Sequence, residues 1–154
     1  MFTGPEGLVG EANATNTDGS VIVGQHCEPL TSGQSAWVWT ARDGVQCLKP
    51  PIRRPAIEGS FSGIALATSD DGRVIGGAHS FGLESESIIW IDREPRYLKA
   101  YLRDHGVPNA FEGWVNTGFI TGMTRDGRVL VGYGAGPRDF TGFMVILPEL
   151  GERP

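Results

Sequence analysis

The stretch Ala67-Thr-Ser-Asp-Asp-Gly-Arg-Val-Ile-Gly-Gly77 carries the pattern that decides the fold, because related stretches lie on both sides of it. They are Ala14-Thr-Asn-Thr-Asp-Gly-Ser-Val-Ile-Val-Gly24 and Gly122-Met-Thr-Arg-Asp-Gly-Arg-Val-Leu-Val-Gly132. All three have a small residue, a polar residue two positions later, Asp-Gly, an aliphatic pair and a closing glycine. The Asp-Gly pairs begin at positions 18, 71 and 126, so the copies are 53 and 55 residues apart. Such a recurrence predicts three copies of one structural unit.

Each Asp-Gly pair predicts a β-hairpin turn between two apolar runs. We expect type I′ turns, since Asp-Gly tolerates the positive φ that both central residues then need. The predicted turn residues are Asp18, Gly19, Asp71, Gly72, Asp126 and Gly127. The closing glycines Gly24, Gly77 and Gly132 indicate strand ends where backbones crowd or φ turns positive.

A second pattern follows each hairpin and predicts a third strand. The stretches are Ser35–Thr40, Ser87–Ile91 and Gly142–Ile146, in which Trp39, Trp90 and Val145 correspond. A fourth strand is predicted at Val45–Leu48 after Asp43-Gly44. The fold class is therefore all-β, with about three four-stranded antiparallel meanders arranged as β-propeller blades. The units cover about 8–50, 62–106 and 117–150 of a single repeat domain.

One stretch departs from strand chemistry and predicts a short helix over about 96–105. Leu98, Tyr101 and Leu102 share one helical face. Pro95 fits a helix start and Gly106 fits a C-terminal cap.

Composition excludes several classes of protein. The 23 Gly and 10 Pro residues among 154 disfavour a helical bundle, because both break helix interiors. Net charge is −5 without a basic cluster, so no nucleic-acid partner is expected. The sequence predicts no membrane span, and its first residues do not resemble a signal peptide.

The candidate chemistry is sparse, and we predict no catalytic residue and no cofactor. Cys27 and Cys47 either form a disulfide or remain buried thiols. His26 and His79 occupy equivalent repeat positions and are weak metal candidates, although exposed loop histidines explain them better. The repeated aspartates lack the alternating oxygen ligands of a calcium loop and fit turn formation instead.

The chain resembles the bacterial HAF-type extracellular repeat family, in particular the C-terminal part of its members. The resemblance rests on Ala14–Gly24, Ala36–Thr40, Gly44–Leu48, Thr121–Gly136 and Phe143–Pro148. It implies a propeller-like fold in a secreted or surface-exposed protein, and it offers no catalytic residues to carry over.

Three units are too few for a closed ring, since propellers use about four to eight blades. The chain is then a piece of a longer propeller, half of a paired ring, or an open array inside a larger assembly. We favour self-association. The expected function is a non-catalytic structural or binding β-repeat protein of the cell exterior, and the alternative is a fragment of a propeller-type hydrolase or lyase acting on glycans.

Overall fold

The computed structural model describes residues 10–27, 33–51, 61–81 and 84–151. Over these residues the chain forms strands and one short helix, which confirms the all-β class. The elements are β1 (Glu11–Thr15), β2 (Val21–Cys27), β3 (Gly33–Thr40), β4 (Gly44–Cys47), β5 (Phe61–Thr68), β6 (Val74–Phe81), β7 (Glu84–Ile91), β8 (Glu94–Tyr97), α1 (Leu98–Asp104), β9 (Asn116–Met123), β10 (Val129–Ala135) and β11 (Phe140–Ile146).

Consecutive strands pair antiparallel within three runs, which we call the first (β1–β4), second (β5–β8) and third (β9–β11) strand groups. The first two groups are joined in one eight-stranded sheet, and the third is a separate three-stranded sheet. The sequence predicted separate sheets throughout. The register of β2 against β3 shifts between Gly24 and Cys27, and there Gln25 pairs with Ile64 of β5 instead.

The same turn connects the first two strands of every group. In the third group the Gly127 N–H donates to the Thr124 carbonyl, and the Thr124 hydroxyl accepts the Val129 N–H. The Asp126 carboxylate accepts the N–H of Arg128. The other two turns have the same three hydrogen bonds. The residues that make them are Asn16, Asp18, Gly19, Ser20 and Val21 in the first group, and Ser69, Asp71, Gly72, Arg73 and Val74 in the second.

The predicted turn type is wrong, although the turns are where the sequence indicated. Gly19, Gly72 and Gly127 have φ of 77°, 65° and 70°, whereas their neighbouring aspartates are not among the described residues with positive φ. A type I′ turn needs positive φ at both central residues. The aspartate is required for its carboxylate, which binds the N–H two residues later, rather than for left-handed backbone.

The closing glycines lie inside strands rather than at strand ends, which corrects the prediction. Gly24, Gly77 and Gly132 face the first strand of their group beside a register shift. A Cβ at Gly77 would overlap the carbonyl oxygen of Ile64. These glycines are therefore needed for the backbone crowding that the sequence suggested.

The helix α1 directly follows β8, the fourth strand of the second group. Pro95 pairs with Trp90 in β8, so it does not begin the helix as predicted; Tyr97 takes the N-cap position. The predicted apolar face is confirmed, since Leu98, Tyr101 and Leu102 are buried.

Two hydrophobic cores lie between successive groups. The first joins Val23 and Val38 of the first group to Ile75 and Trp90 of the second. The second core lies between the second and third groups. From the side of the second group and α1 it contains Val74, Ile89 and Leu98, and from the side of the third group it contains Ile120, Leu130 and Leu147. The second group thus packs against both of its neighbours, one on each face of its sheet.

Candidate functional site

Cys27 and Cys47 form a disulfide with their Cα atoms 5.6 Å apart. The strand β3 lies between the strands that carry them, so regular pairing would separate them by two strand spacings, about 10 Å. The shorter separation follows a distortion of β2, in which His26 has φ of 66° and the register shifts before Cys27. The disulfide therefore ties the end of β2 to the edge strand β4.

The two predicted histidines lie in different environments, so the repeat equivalence does not extend to their surroundings. His26 is half-buried at the distortion of β2, whereas His79 is buried in a regular ladder opposite Gly63 and Glu86. The Nδ1 atom of His79 lies 3.1 Å from the Tyr97 hydroxyl oxygen. Both lie in strands, which corrects the expectation of exposed loop histidines. Among the described residues, no cluster of three or more His, Cys, Asp or Glu side chains is placed to hold a metal ion.

The turn aspartates have an electrostatic signature that fits their role. The Thr124 hydroxyl and then the Arg128 N–H lower the pKa of Asp126 below its ordinary value. The Ser20 hydroxyl and then the Ser20 N–H lower the pKa of Asp18 in the same way. Hydrogen bonds donated to a carboxylate favour its ionised form. These carboxylates therefore remain charged acceptors, the opposite of a general acid, whose pKa must be raised.

An open cleft of about 630 Å³ lies at the turn end between the first two groups. Its lining carries arginines and aspartates that bind one another. Arg73 Nε lies 3.0 Å from Asp92 Oδ2, Arg42 Nε lies 2.9 Å from Asp43 Oδ1, and Arg93 donates to the Gly72 carbonyl. Arg73 and Arg93 thus connect the two turns of the second group, whereas Asp70 of that group accepts hydrogen bonds from the N–H and the hydroxyl of Thr17 in the first group. The cleft is therefore lined by side chains that join turns and dock the two groups.

The feature that lacks a structural explanation is one face of the third group, which we call the open face. It consists of large apolar side chains on adjacent strands β10 and β11, and their exposed fractions are 42–79%. The members are Val131, Tyr133, Phe140, Met144 and Ile146. They share one side of the sheet, because Val131 pairs with Met144 and side chains alternate along each strand. Contiguous apolar patches of this kind mark interaction sites on soluble proteins.

The corresponding face of the first group is covered. Val23 pairs with Val38 as Val131 pairs with Met144, and the former two are 0% and 1% exposed. The second group buries Ile89 at the position of Met144. The open face was not predicted from the sequence. A usable signal was the apolar character of both alternating sets of residues in β11.

The described part of the chain contains no helix long and apolar enough to cross a membrane. Comparisons with family models, with curated proteins and with solved structures found no match.

Proposed function

We propose that the chain is a non-catalytic β-repeat protein of the bacterial cell exterior, and that it binds another β-sheet through the open face. The observation that carries the proposal is positional. The same face of the first two groups is buried by the group that follows, and the third group presents apolar side chains at the same register. Burial of such side chains is the main favourable contribution to protein association.

The groups are then successive blades of a propeller-like arrangement, and the third of these blades has one uncovered face. Support comes from the repeated docking of one group's face on the next and from the threefold repetition of the turn. The disulfide is consistent with the oxidising conditions of the cell exterior, where such bonds persist.

A binding role is favoured over glycan hydrolysis by how the recurring carboxylates are used. Asp18, Asp71 and Asp126 each accept a backbone N–H within their own turn. Glycoside hydrolysis requires two carboxyl groups that flank a substrate, one of them with a raised pKa. The aspartates that the sequence repeats therefore serve the fold.

The test uses the protein purified natively from cells that produce it, with wild type and Met144→Lys compared by light scattering. We expect the wild type in a species heavier than the 16.5 kDa chain, and Met144→Lys at the chain mass. Identical masses for the two proteins would overturn the proposal. Release of reducing ends from polysaccharides by the purified chain would favour the hydrolase instead.

A further inference from the structure

The first strand group offers a surface that matches the open face. Ile22 pairs with Trp39 in this group as Ile75 pairs with Trp90 in the second. We call the side of the first group that carries Ile22 and Trp39 the back face. Both side chains are half-buried, whereas Ile75 and Trp90 are 0% and 1% exposed.

The first core shows what this pair of surfaces does when they meet. There Val23 and Val38 of one group pack with Ile75 and Trp90 of the next. The open face repeats the first pair as Val131 and Met144, and the back face repeats the second pair as Ile22 and Trp39. One chain therefore carries an additional copy of each half of a contact that it already makes internally.

The turns repeat the same relation. A Cβ built on Gly72 would lie 3.0 Å from Val21, and one on Gly127 would lie 2.9 Å from Val74. Each of these two turns therefore packs on the valine that begins the second strand of the preceding group. A Cβ on Gly19 meets no atom of the described residues within 4 Å, and Val129, the matching valine of the third group, is half-buried.

We infer that the open face of one copy receives the back face of a second copy, and that the reciprocal contact closes a ring of six strand groups. This inference rests on the proposed function. A two-fold pair brings two identical contacts into register, as closed symmetry requires, and six groups fall within the range of closed propellers. Pairing of two open faces is disfavoured, because both internal cores join opposite kinds of face.

The test measures the molar mass of the purified chain alone by light scattering over a range of concentrations. Wild type should have twice the 16.5 kDa chain mass. Met144→Lys and Ile22→Lys should each return to the chain mass, because each places a charge in both contacts. Val107→Lys is the matched control, since Val107 is 50% exposed on the loop after α1, outside both faces. It should retain the doubled mass.

Mixing the two disruptive variants distinguishes this pairing from other arrangements. A mixed pair has one contact between two unaltered faces, so Met144→Lys with Ile22→Lys should associate at concentrations where each alone is monomeric. Retention of the doubled mass by Ile22→Lys would overturn the inference in favour of open-face pairing. A monomeric wild type would also overturn it, while a heavier native species lost in Met144→Lys would keep the proposed function.

Hydrogen exchange of the wild type makes the test independent of whether the variants fold. Diluting the chain from concentrated to dilute solution should increase exchange in β11 and in β2–β3 together, because the open face and the back face separate from the same contact. An increase confined to β11, or no change in either region, would contradict the inference.

Discussion

Gly77 is required because the backbone of the neighbouring strand approaches it too closely to leave room for a side chain. It lies inside β6, its φ is outside the left-handed region, and the carbonyl of Ile64 fills the space that a side chain would need. The register of β5 shifts between Ala65 and Ala67, which brings that carbonyl toward the glycine. The same arrangement recurs at Gly24 and Gly132. Each bulge in the first strand of a group therefore occurs together with a glycine opposite it, which leaves room for the displaced carbonyl.

We expect Gly77→Ala to destabilise the protein by about 2–4 kcal/mol or to prevent folding, because main-chain atoms must move to admit the methyl group. Gly142→Ala is the matched control. It lies in a strand where the nearest atom to a new Cβ is 3.7 Å away, and we expect a change within about 1 kcal/mol. Urea unfolding gives both values. Equal effects of the two substitutions would contradict the explanation.

The turn carboxylates should make stability depend on pH below neutrality. The pKa values of Asp18 and Asp126 are lowered in the folded protein, so these groups stabilise it above their unfolded pKa of about 4. That contribution is lost as pH falls through the folded values. Asp18→Asn with Asp126→Asn should flatten the loss of stability between pH 5 and pH 2, measured by urea unfolding at each pH. A double variant with the wild-type slope would contradict this.

The position of these turns could be predicted from sequence, but their type could not. Asp-Gly indicates a turn because glycine accepts positive φ, as Gly19 does. The deciding contacts come from Asn16, Ser69 and Thr124, whose side-chain oxygens accept a valine N–H five residues later. Three different residue types perform that role, so the sequence shows only that the position is polar.

At the scale of elements, the short strand β4 is held by one ladder and one covalent link. It pairs only with β3 among the described strands, and Cys47 joins it to Cys27 at the end of β2. The sequence left the disulfide open because cysteines on the second and fourth strands of a regular meander are too far apart. The distortion at His26 brings the two Cα atoms close enough for the bond. It could not be predicted, because no residue pattern indicates that a histidine has a left-handed backbone conformation.

Removing the disulfide should destabilise the protein by about 3 kcal/mol, the loop-closure value for cysteines 20 residues apart. Cys27→Ala with Cys47→Ala is the variant, and wild type in reductant is the parallel sample. The measurement is the free energy of unfolding in urea. An intact mass two hydrogens heavier than the disulfide form before reduction would show free thiols and contradict the linkage.

At the scale of the whole molecule, each of the two hydrophobic cores of the described residues joins neighbouring groups. The cores join the first group to the second and the second to the third, and nearest-neighbour contacts of this kind are typical of linear repeat proteins. The sequence predicted the repeats but not the uncovered face. The Val-Leu start of β10 matches the Val-Ile starts of β2 and β6, and this pattern is the same whether or not a neighbouring group is present.

Ile120→Ala should destabilise the third group more than the first. Ile120 is fully buried in the second core, and such truncations cost about 2–5 kcal/mol. Native-state hydrogen exchange should therefore rise most in β9–β11. Val38→Ala, at the first core, is the reciprocal control and should raise exchange most in β1–β4. A uniform rise throughout the chain for both variants would contradict neighbour-limited coupling.

The disulfide also has a consequence for how breakage of this chain would be detected. A protease cut anywhere between Cys27 and Cys47 leaves two polypeptides that remain one molecule through the sulfur bridge. Such nicked material keeps its mobility in a non-reducing gel and separates into fragments only after reduction. Comparing the two gels therefore reports the integrity of the backbone in this segment, which size measurements under oxidising conditions would miss.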